Sequence, residues 1–135
     1  MKTNYFIFSI LFLSSLVFFS FRSFQKKPWV VPDKYDKMVN PVKSDAESLK
    51  DAKALWVKHC QSCHGKTGLG DGSKAAQLDT EVGDLSTAEA QSQSDGSLFY
   101  KSLEGRDDMP SFKKKIPDQD EIWAVVNFIR TLKAK

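Results

Sequence analysis

The feature that most restricts the fold of this 135-residue chain is the pentapeptide Cys60-Gln61-Ser62-Cys63-His64. A C-x-x-C-H sequence is typical of a site where a haem is attached covalently. The two thiols can add to the two vinyl groups of a haem and form thioether bonds, and His64 can then bind the iron as the proximal ligand. Both cysteines of the chain lie in this motif. The sequence therefore predicts one covalently bound haem c, attached through Cys60 and Cys63.

Three other kinds of site could use these residues: a zinc site, a thioredoxin-like dithiol and a disulfide. A structural zinc site needs four ligands, usually in two separated pairs, and the candidates here are the nearly consecutive His59, Cys60, Cys63 and His64. A thioredoxin-like motif belongs to a chain of alternating strands and helices, a pattern that this sequence lacks. A disulfide between the two cysteines would close a very short loop and would stabilise little. Haem attachment is the favoured interpretation.

The amino-terminal segment has the pattern of an export signal. After Lys2, residues 5–21 form an apolar run without a charged residue. Such a start is typical of a secretory signal, although about 17 residues is intermediate between a signal core and a full membrane span. Phe18 and Phe21 occupy positions where a cleavage site needs small residues. Residues 1–24 are therefore predicted to be a signal peptide or, preferably, an uncleaved membrane anchor. The remainder is then exported, to the periplasm or the outer side of the cytoplasmic membrane.

The rest of the sequence predicts a linker and one small domain. Residues 25–45 contain three prolines and show little periodicity, as is usual in an extended linker or in a strap that docks on a domain through Trp29 and Val30, which leaves residues 46–135 for the domain. Outside residues 1–24 the basic and acidic residues nearly balance, so charge is no argument for a nucleic-acid partner. A domain of about 90 residues has a marginal core, which a flat apolar cofactor would complete.

Two apolar stripes, each with spacings of three and four residues, predict two long helices. The first runs up to Cys60, with Ser44 or Asp45 as the cap at its start. The second lies near the carboxyl terminus, where Asp118 and Glu121 resemble a capping box. The members of the stripes are Leu49, Ala52, Leu55, Trp56 and His59 in the first helix and Ile122, Val125, Val126, Ile129 and Leu132 in the second.

Shorter helices and loops are predicted between the two stripes. Residues 86–89 resemble a helix start, and Leu98, Phe99 and Leu103 predict a short helix that ends near Gly105. A glycine-rich loop follows the motif, but without a preceding strand it does not predict a phosphate site. Its glycines are Gly65, Gly68, Gly70 and Gly72. The predicted fold class is all-α: a small fold of about four helices around one haem, preceded by an N-terminal apolar helix.

The iron of a haem needs a sixth ligand, unless it keeps an open position for catalysis or gas binding. Met109 lies in a loop far along the chain from the motif, and Pro110 stiffens that loop. Its soft thioether would stabilise ferrous iron and raise the potential, as suits electron transfer. Met38 lies in the linker and is expected to be a surface or packing residue. His59 directly precedes Cys60 and cannot reach the opposite haem face. Met109 is therefore the predicted sixth ligand.

Taken together, the motif, the Met109 loop and the two long helices resemble the class I (monohaem) cytochrome c family. The resemblance implies a compact helical fold whose first and last helices cross near a right angle, with Ala52 and Trp56 against the last helix. The contacts expected in that helix are Trp123, Val126 and Phe128. The resemblance also implies that a backbone carbonyl orients His64. Many relatives have a proline after the last glycine of the loop, where this chain has Ser73, so the acceptor is not assigned.

This resemblance implies a carrier of single electrons rather than an enzyme, with no catalytic residues. Cys60, Cys63, His64 and Met109 would bind the haem, and His64 and Met109 its iron. Redox proteins are the expected partners, together with the membrane through the N-terminal segment. Two alternatives stay open. One is the haem subunit of a larger membrane oxidoreductase, and the other is a catalytic or gas-sensing protein in which the methionine is displaced and Arg106 hydrogen-bonds the ligand.

Two charged segments could guide the docking of redox partners. Residues 113–115 are three consecutive lysines that follow Met109 and could border an exposed haem edge. An acidic stretch without intervening basic residues lies earlier in the chain, and such a dipolar layout can steer association. Its acids are Asp79, Glu81, Asp84, Glu89 and Asp95. Ordinary solvated loops are the competing interpretation of both segments.

Overall fold

Six α-helices and one 3-10 turn form the secondary structure in the computed structural model, which describes residues 28–134. The chain divides into two compact units, residues 1–30 and 31–135, and all the elements below belong to the second. The helices are α1 (Asp33–Asp36), α2 (Ala46–His59), α3 (Gln61–His64), α4 (Ala88–Gln91), α5 (Asp95–Glu104) and α6 (Gln119–Thr131), and the 3-10 turn spans Ala75–Gln77.

These elements confirm the predicted all-α class. Three helices of the described part have ten or more residues, namely α2, α5 and α6, and the others are single turns, where the sequence predicted about four helices. No strand occurs in residues 28–134, where a single β-bridge joins Arg106 to Met109. The predicted N-terminal apolar helix, with its role as a signal or anchor, lies outside the described residues. In the described range, no helix is long and apolar enough to cross a membrane.

The two long terminal helices of the domain begin at predicted capping residues. The Asp45 carboxylate accepts a hydrogen bond from the Ser48 amide (2.9 Å), and the Ser48 hydroxyl accepts one from the Asp45 amide (3.2 Å). This reciprocal pair is a capping box. At the start of α6, the Asp118 carboxylate accepts from the Asp120 amide and does not form the predicted pair with Glu121. The helix starts with a side-chain cap are those at Asp45, Thr87, Ser94 and Asp118.

Helices α2 and α6 pack against each other and form the centre of the core. Trp56 is 1% exposed, and its ring centroid lies 5.4 Å from that of Phe128. Ala52, one helical turn earlier, is fully buried, so α2 uses the face that the family resemblance implied. Helix α5 adds Phe99, which stacks on Trp123 at 4.0 Å. Burial of each large apolar side chain contributes about 1.5–3 kcal/mol. The other core members are Leu98, Leu103, Phe112, Ile116, Ile122, Val125, Val126 and Ile129.

The segment just before α2 is bound to α6 by a pair of asparagines. Asn40 donates from Nδ2 to the Trp123 carbonyl (3.1 Å) and to Asn127 Oδ1 (3.0 Å), and Asn127 Nδ2 donates to the Val42 carbonyl (3.0 Å). These hydrogen bonds of the two side-chain amides attach the segment before α2 to α6. We name residues 31–43 the strap. The domain boundaries predicted at residues 24 and 45 stay predictions.

The strap has a second attachment at the start of α5. The ring centroids of Tyr35 and Tyr100 lie 4.7 Å apart. Asp36 Oδ1 accepts hydrogen bonds from the hydroxyls of Ser94 (2.6 Å) and Ser97 (2.7 Å). These hydrogen bonds lower the pKa of Asp36, because they stabilise the ionised carboxylate. The strap is thus attached, through its helix α1, to α5, the helix that precedes Met109.

Candidate functional site

The pentapeptide lies at the junction of α2 and α3. Cys60 is the C-cap residue of α2, where its backbone amide donates a hydrogen bond to the Trp56 carbonyl (2.8 Å), and it is also the N-cap residue of α3. Its own carbonyl accepts from the amides of Cys63 (3.2 Å) and His64 (3.0 Å). A helical turn that begins after Cys60 therefore presents both cysteines and the histidine from the carboxyl end of α2.

The glycine-rich loop, residues 65–72, folds back onto the motif. The Gly70 amide donates to the His64 carbonyl (2.9 Å), and the Gly72 amide donates to the Cys63 carbonyl (3.1 Å). Just beyond the loop, the Lys74 amide donates to the Ser62 carbonyl (2.8 Å). A side chain at Gly72 would collide with the backbone of Ser62 and Cys63. The loop needs glycine there because its backbone touches the backbone of the motif.

Both thiols of the motif are unpaired. Cys60 and Cys63 are free and partly buried, so each sulfur is available for a thioether bond. Burial, with a smaller effect of the neighbouring Cys63, raises the pKa of the Cys60 thiol to about 12. A thiol with such a pKa stays protonated at neutral pH, and a protonated thiol is a poor nucleophile and is slow to oxidise.

His64 has the environment of a metal-binding imidazole. Burial lowers the pKa of His64, so the ring is neutral at neutral pH, which is the form that binds a metal. Its Nδ1 atom is buried and has no hydrogen-bond partner in the described part of the chain, so the structure shows no backbone carbonyl at Nδ1 of the kind that the family resemblance implied. The Trp56 ring lies 5.7 Å from the imidazole between centroids, and Trp56 Nε1 donates to the Gly65 carbonyl (3.1 Å). Trp56 therefore packs against His64 and also fixes the turn that follows it.

Met109 closes a tight turn after α5. The Arg106 amide donates to the Met109 carbonyl (2.8 Å), and the Met109 amide donates to the Arg106 carbonyl (2.9 Å). Asp107, inside the turn, has a φ of 52°, in the left-handed region that aspartate tolerates better than most residues. Gly105 also has a positive φ, and a side chain there would collide with the backbone of residues 109–111. We name residues 105–109 the methionine turn.

The methionine turn is attached to α5 on one side and to an earlier loop on the other. On the α5 side, the Leu103 carbonyl accepts from the Ser111 hydroxyl (2.8 Å) and the Phe112 amide (3.2 Å). On the other side, Asp108 Oδ2 accepts from the amide (2.8 Å) and the hydroxyl of Thr80. Partly buried Met109 packs against the core, as does Cys60. The structure thus brings the predicted sixth ligand and the attachment motif to one hydrophobic cluster.

A cleft of about 520 Å³ is lined by residues within 69–82, which follow the motif in sequence, and Cys60, Cys63, His64 and Met109 are not among its lining residues. Two of the lining residues also contact parts of the candidate site: Gly72 lies against the Cys63 backbone, and Thr80 is hydrogen-bonded to Asp108. Its other lining residues are Leu69, Gly70, Asp71, Ala75, Ala76, Leu78, Glu81 and Val82. Two free thiols and a neutral imidazole with a buried unpartnered nitrogen are together suited to a covalently attached haem.

The other residues considered as ligands have structural contacts of their own. Met38 is 38% exposed and lies against Gly96 at the start of α5, as expected for a surface or packing residue. His59 packs edge-on against Phe112 at 6.0 Å, and burial is the main cause of its lowered pKa. Arg106 Nε lies 3.1 Å from Asp107 Oδ2. Among the described residues, no three or more His, Cys, Asp or Glu side chains are grouped as a metal site.

The charged segments are partly engaged in the fold. Lys113 forms an ion pair with Glu104 at 2.6 Å, and Lys115 Nζ lies over the Phe112 ring. In the acidic stretch, Asp95 pairs with Arg130 at 2.6 Å. Sequence reasoning missed the contact between Thr80 and Asp108 and the Trp56 bond to Gly65. In the sequence, Trp56 was noted only as a member of the apolar stripe of the first helix, and that spacing predicts a core residue rather than a contact with the motif.

The sequence and the fold of this chain are similar to those of known proteins. Residues 47–129, more than half of the chain, match the family model described as cytochrome C oxidase, cbb3-type, subunit III. No curated protein matches the chain in sequence. Among solved structures, the chain is similar to a reducing HAO-like protein complex of Kuenenia stuttgartiensis, with a TM-score of 0.64 and 21% identity. The match covers 82% of this chain and 53% of that chain, so this chain spans about half of it.

At that identity, the likeness to the solved structure supports the fold alone. The family match carries the identification, because it includes the motif, the glycine-rich loop, the methionine turn and most of α6. It confirms the predicted resemblance to c-type cytochromes and the predicted cofactor, a covalently bound haem c, whose general use is electron transfer. The chain belongs to the family of cytochrome C oxidase, cbb3-type, subunit III, and its domain is a c-type cytochrome domain.

Proposed function

We propose that this chain is a monohaem cytochrome that carries single electrons between redox proteins outside the cytoplasm. Cys60 and Cys63 would hold the haem through thioether bonds, and His64 and Met109 would bind its iron. The chain contains one C-x-x-C-H motif and two cysteines, so it attaches one haem in this way. No residue acts as a general acid or base, because the reaction moves an electron and no proton.

The observation that carries this proposal is the state of His64. Its imidazole ends the motif, its pKa is lowered by burial, and its Nδ1 atom is buried without a partner. Two free thiols lie at defined positions on the same helical turn. A neutral buried histidine beside two thiols is the donor set that a haem c requires.

Met109 supports the carrier function because its turn is closed by backbone hydrogen bonds. When bound, haem supplies one iron that accepts and releases a single electron. The protein keeps the surroundings of that iron constant by holding its ligands in the same positions in both oxidation states. The two hydrogen bonds between Arg106 and Met109 restrict the turn, and a thioether ligand favours the ferrous state and a high potential.

The export part of the proposal depends on the N-terminal sequence. The apolar run at residues 5–21 is typical of a secretory signal or an anchor. A c-type cytochrome domain after such a segment fits the periplasm or the outer side of the cytoplasmic membrane. Fractionation of cells and N-terminal sequencing of the product would test both the location and cleavage near residue 24.

Redox titration with optical spectra tests the ligands in wild type, Met109→Ala and the control Met38→Ala. We expect a low-spin wild type with a methionine–iron absorption band. In Met109→Ala the band should disappear and the potential should fall on the order of 0.2 V, within the range that axial ligands set. Met38→Ala should match the wild type, since Met38 lies at the surface. A high-spin wild type that readily binds carbon monoxide would contradict the carrier and favour the catalytic or gas-sensing alternative.

A second candidate function is a haem subunit of a larger membrane oxidoreductase. The description of the matching family, an oxidase subunit, favours this candidate. The same domain would then receive or deliver electrons inside a complex rather than by free diffusion. Mild solubilisation of membranes and purification of the tagged full chain separates the two: stoichiometric co-purification of other redox subunits supports the subunit, and recovery of the chain alone supports the carrier.

A further inference from the structure

Thr80 and Asp108 form a contact between two loops that are distant in sequence. Asp108 Oδ2 accepts a hydrogen bond from the Thr80 amide (2.8 Å) and a second from the Thr80 hydroxyl. Both side chains are exposed, and neither belongs to a helix. The acceptor is an ionised carboxylate, and hydrogen bonds to a charged acceptor are stronger than neutral ones.

The position of Asp108 gives this contact its importance. Asp108 directly precedes Met109 inside the turn that the Arg106–Met109 backbone bonds close. Thr80 lies in the segment that lines the cleft. The contacts of Ser111 and Phe112 with Leu103 attach the chain after the turn to α5, whereas the Thr80 contact attaches the turn itself to the opposite loop.

We propose that Thr80 and Asp108 are positioning residues, which we name the loop clamp, and that they hold Met109 on the iron. The inference rests on the His64/Met109 ligation in the proposed function. Release of the methionine from the iron requires the methionine turn to move. With the loop clamp closed, that motion also breaks two hydrogen bonds to the Asp108 carboxylate. The clamp therefore lowers the population of the form in which the sixth position of the iron is open.

The expected change in imidazole affinity is modest because the side chains of Thr80 and Asp108 are exposed to solvent. Water competes for hydrogen bonds between exposed groups, so the clamp contributes less than a buried charged pair. Imidazole binds ferric iron only after the methionine leaves, and its apparent affinity reports the population of the open form. We expect imidazole to bind about three- to tenfold more tightly to Asp108→Ala, which loses both bonds. Thr80→Val keeps the hydrogen bond from its backbone amide to Asp108 and loses only the one from the hydroxyl, so its imidazole affinity should increase less.

The test is an imidazole titration of the ferric holoprotein, followed at the methionine–iron absorption band. Thr131→Val is the matched control, because the exposed Thr131 hydroxyl donates to the Phe128 carbonyl in α6, outside the turn. Thermal unfolding of each variant checks that the fold is intact. The expected order of imidazole affinity is Asp108→Ala, then Thr80→Val, then wild type equal to Thr131→Val.

Two results would overturn the inference, and they can be told apart. In the first, the wild type shows the methionine–iron band, but Asp108→Ala and Thr80→Val bind imidazole with the same affinity as the wild type. The loop clamp then has no role in holding Met109, and the proposed His64/Met109 ligation is unaffected. If the wild type lacks the band and Met109→Ala changes nothing, the proposed ligation fails and the clamp fails with it. Thr80→Val keeps the carboxylate and the turn, so it remains informative if Asp108→Ala folds poorly.

Discussion

The attachment side of the site, residues 60–74, and the methionine side, residues 105–112, are held by different contacts. On the attachment side, backbone amides of the glycine-rich segment bind carbonyls of the motif, and Trp56 supports the turn from the core. On the methionine side, a turn is closed on itself and joined to its neighbour through exposed side chains. Changes on the attachment side should therefore affect folding and haem attachment, whereas changes on the methionine side should affect mainly ligation.

The largest effect is expected for Trp56→Ala, on the attachment side. This change empties the space between α2 and α6 beside His64, and large-to-small changes of buried aromatics cost about 3–5 kcal/mol in the free energy of unfolding. Denaturant unfolding of the holoprotein measures it. Trp56→Phe keeps a ring but removes the hydrogen bond to Gly65, and it should cost only about 1 kcal/mol. Equal losses in the two variants would contradict the packing role of the indole.

A smaller effect is expected for Gly72→Ala. The added methyl group would collide with the backbone of Ser62 and Cys63, and overpacking costs about 1–3 kcal/mol. We expect a lower thermal midpoint and less haem per chain, measured by absorbance against protein concentration. Gly83→Ala is the control, since nothing lies within 4 Å of a side chain at that position. Normal haem content in Gly72→Ala would show that the loop tolerates displacement from the motif.

The smallest effect concerns acid and the strap. The pKa of Asp36 is lowered below its ordinary value of 3.8 by hydrogen bonds from Ser94 and Ser97. Its contribution to stability is therefore present above the ordinary value and is lost as the pH falls from that value through the lower pKa of the folded state. We expect Asp36→Asn to lose less stability than wild type between pH 7 and pH 3, by thermal unfolding. Asp33→Asn, whose carboxylate is 91% exposed and pairs with Lys37 at 3.4 Å, should behave as wild type.

The same measurements on Asp36→Asn over a range of pH also test whether the methionine side depends on contacts outside its own turn. Asp36 binds the first turn of α5, and the methionine turn follows the last. If ligation depends mainly on local contacts, the methionine–iron band of Asp36→Asn should equal that of the wild type at every pH. A band that weakens in this variant alone would show that the strap and the methionine turn are coupled through α5.

The sequence was sufficient to predict those parts of the molecule whose causes are local. The spacing of Leu49, Ala52 and Trp56 and the cap at Asp45 fix α2, because both depend on residues within a few turns. The short helix that ends at Gly105 was predicted for the same reason. The motif also carries its chemistry in five consecutive residues, so haem attachment needed no tertiary information.

The missed features all depend on contacts between distant residues. Nothing near Asn40 indicates that its side-chain amide forms a hydrogen bond with Asn127 in α6. The loop clamp joins two exposed polar residues, and such pairs leave no periodic pattern. The start of α6 is a smaller miss, because the Asp118 carboxylate bonds to Asp120 although Glu121 has the spacing of a capping box.

The bonds between the glycine-rich segment and the motif also make three backbone amides useful as probes. The amides of Gly70, Gly72 and Lys74 donate to carbonyls within the pentapeptide, so their hydrogen exchange with solvent requires the segment to separate from the motif. Their exchange rates, read by nuclear magnetic resonance, would measure how often the attachment site opens in the native protein. That measurement needs no substitution and no change to the haem.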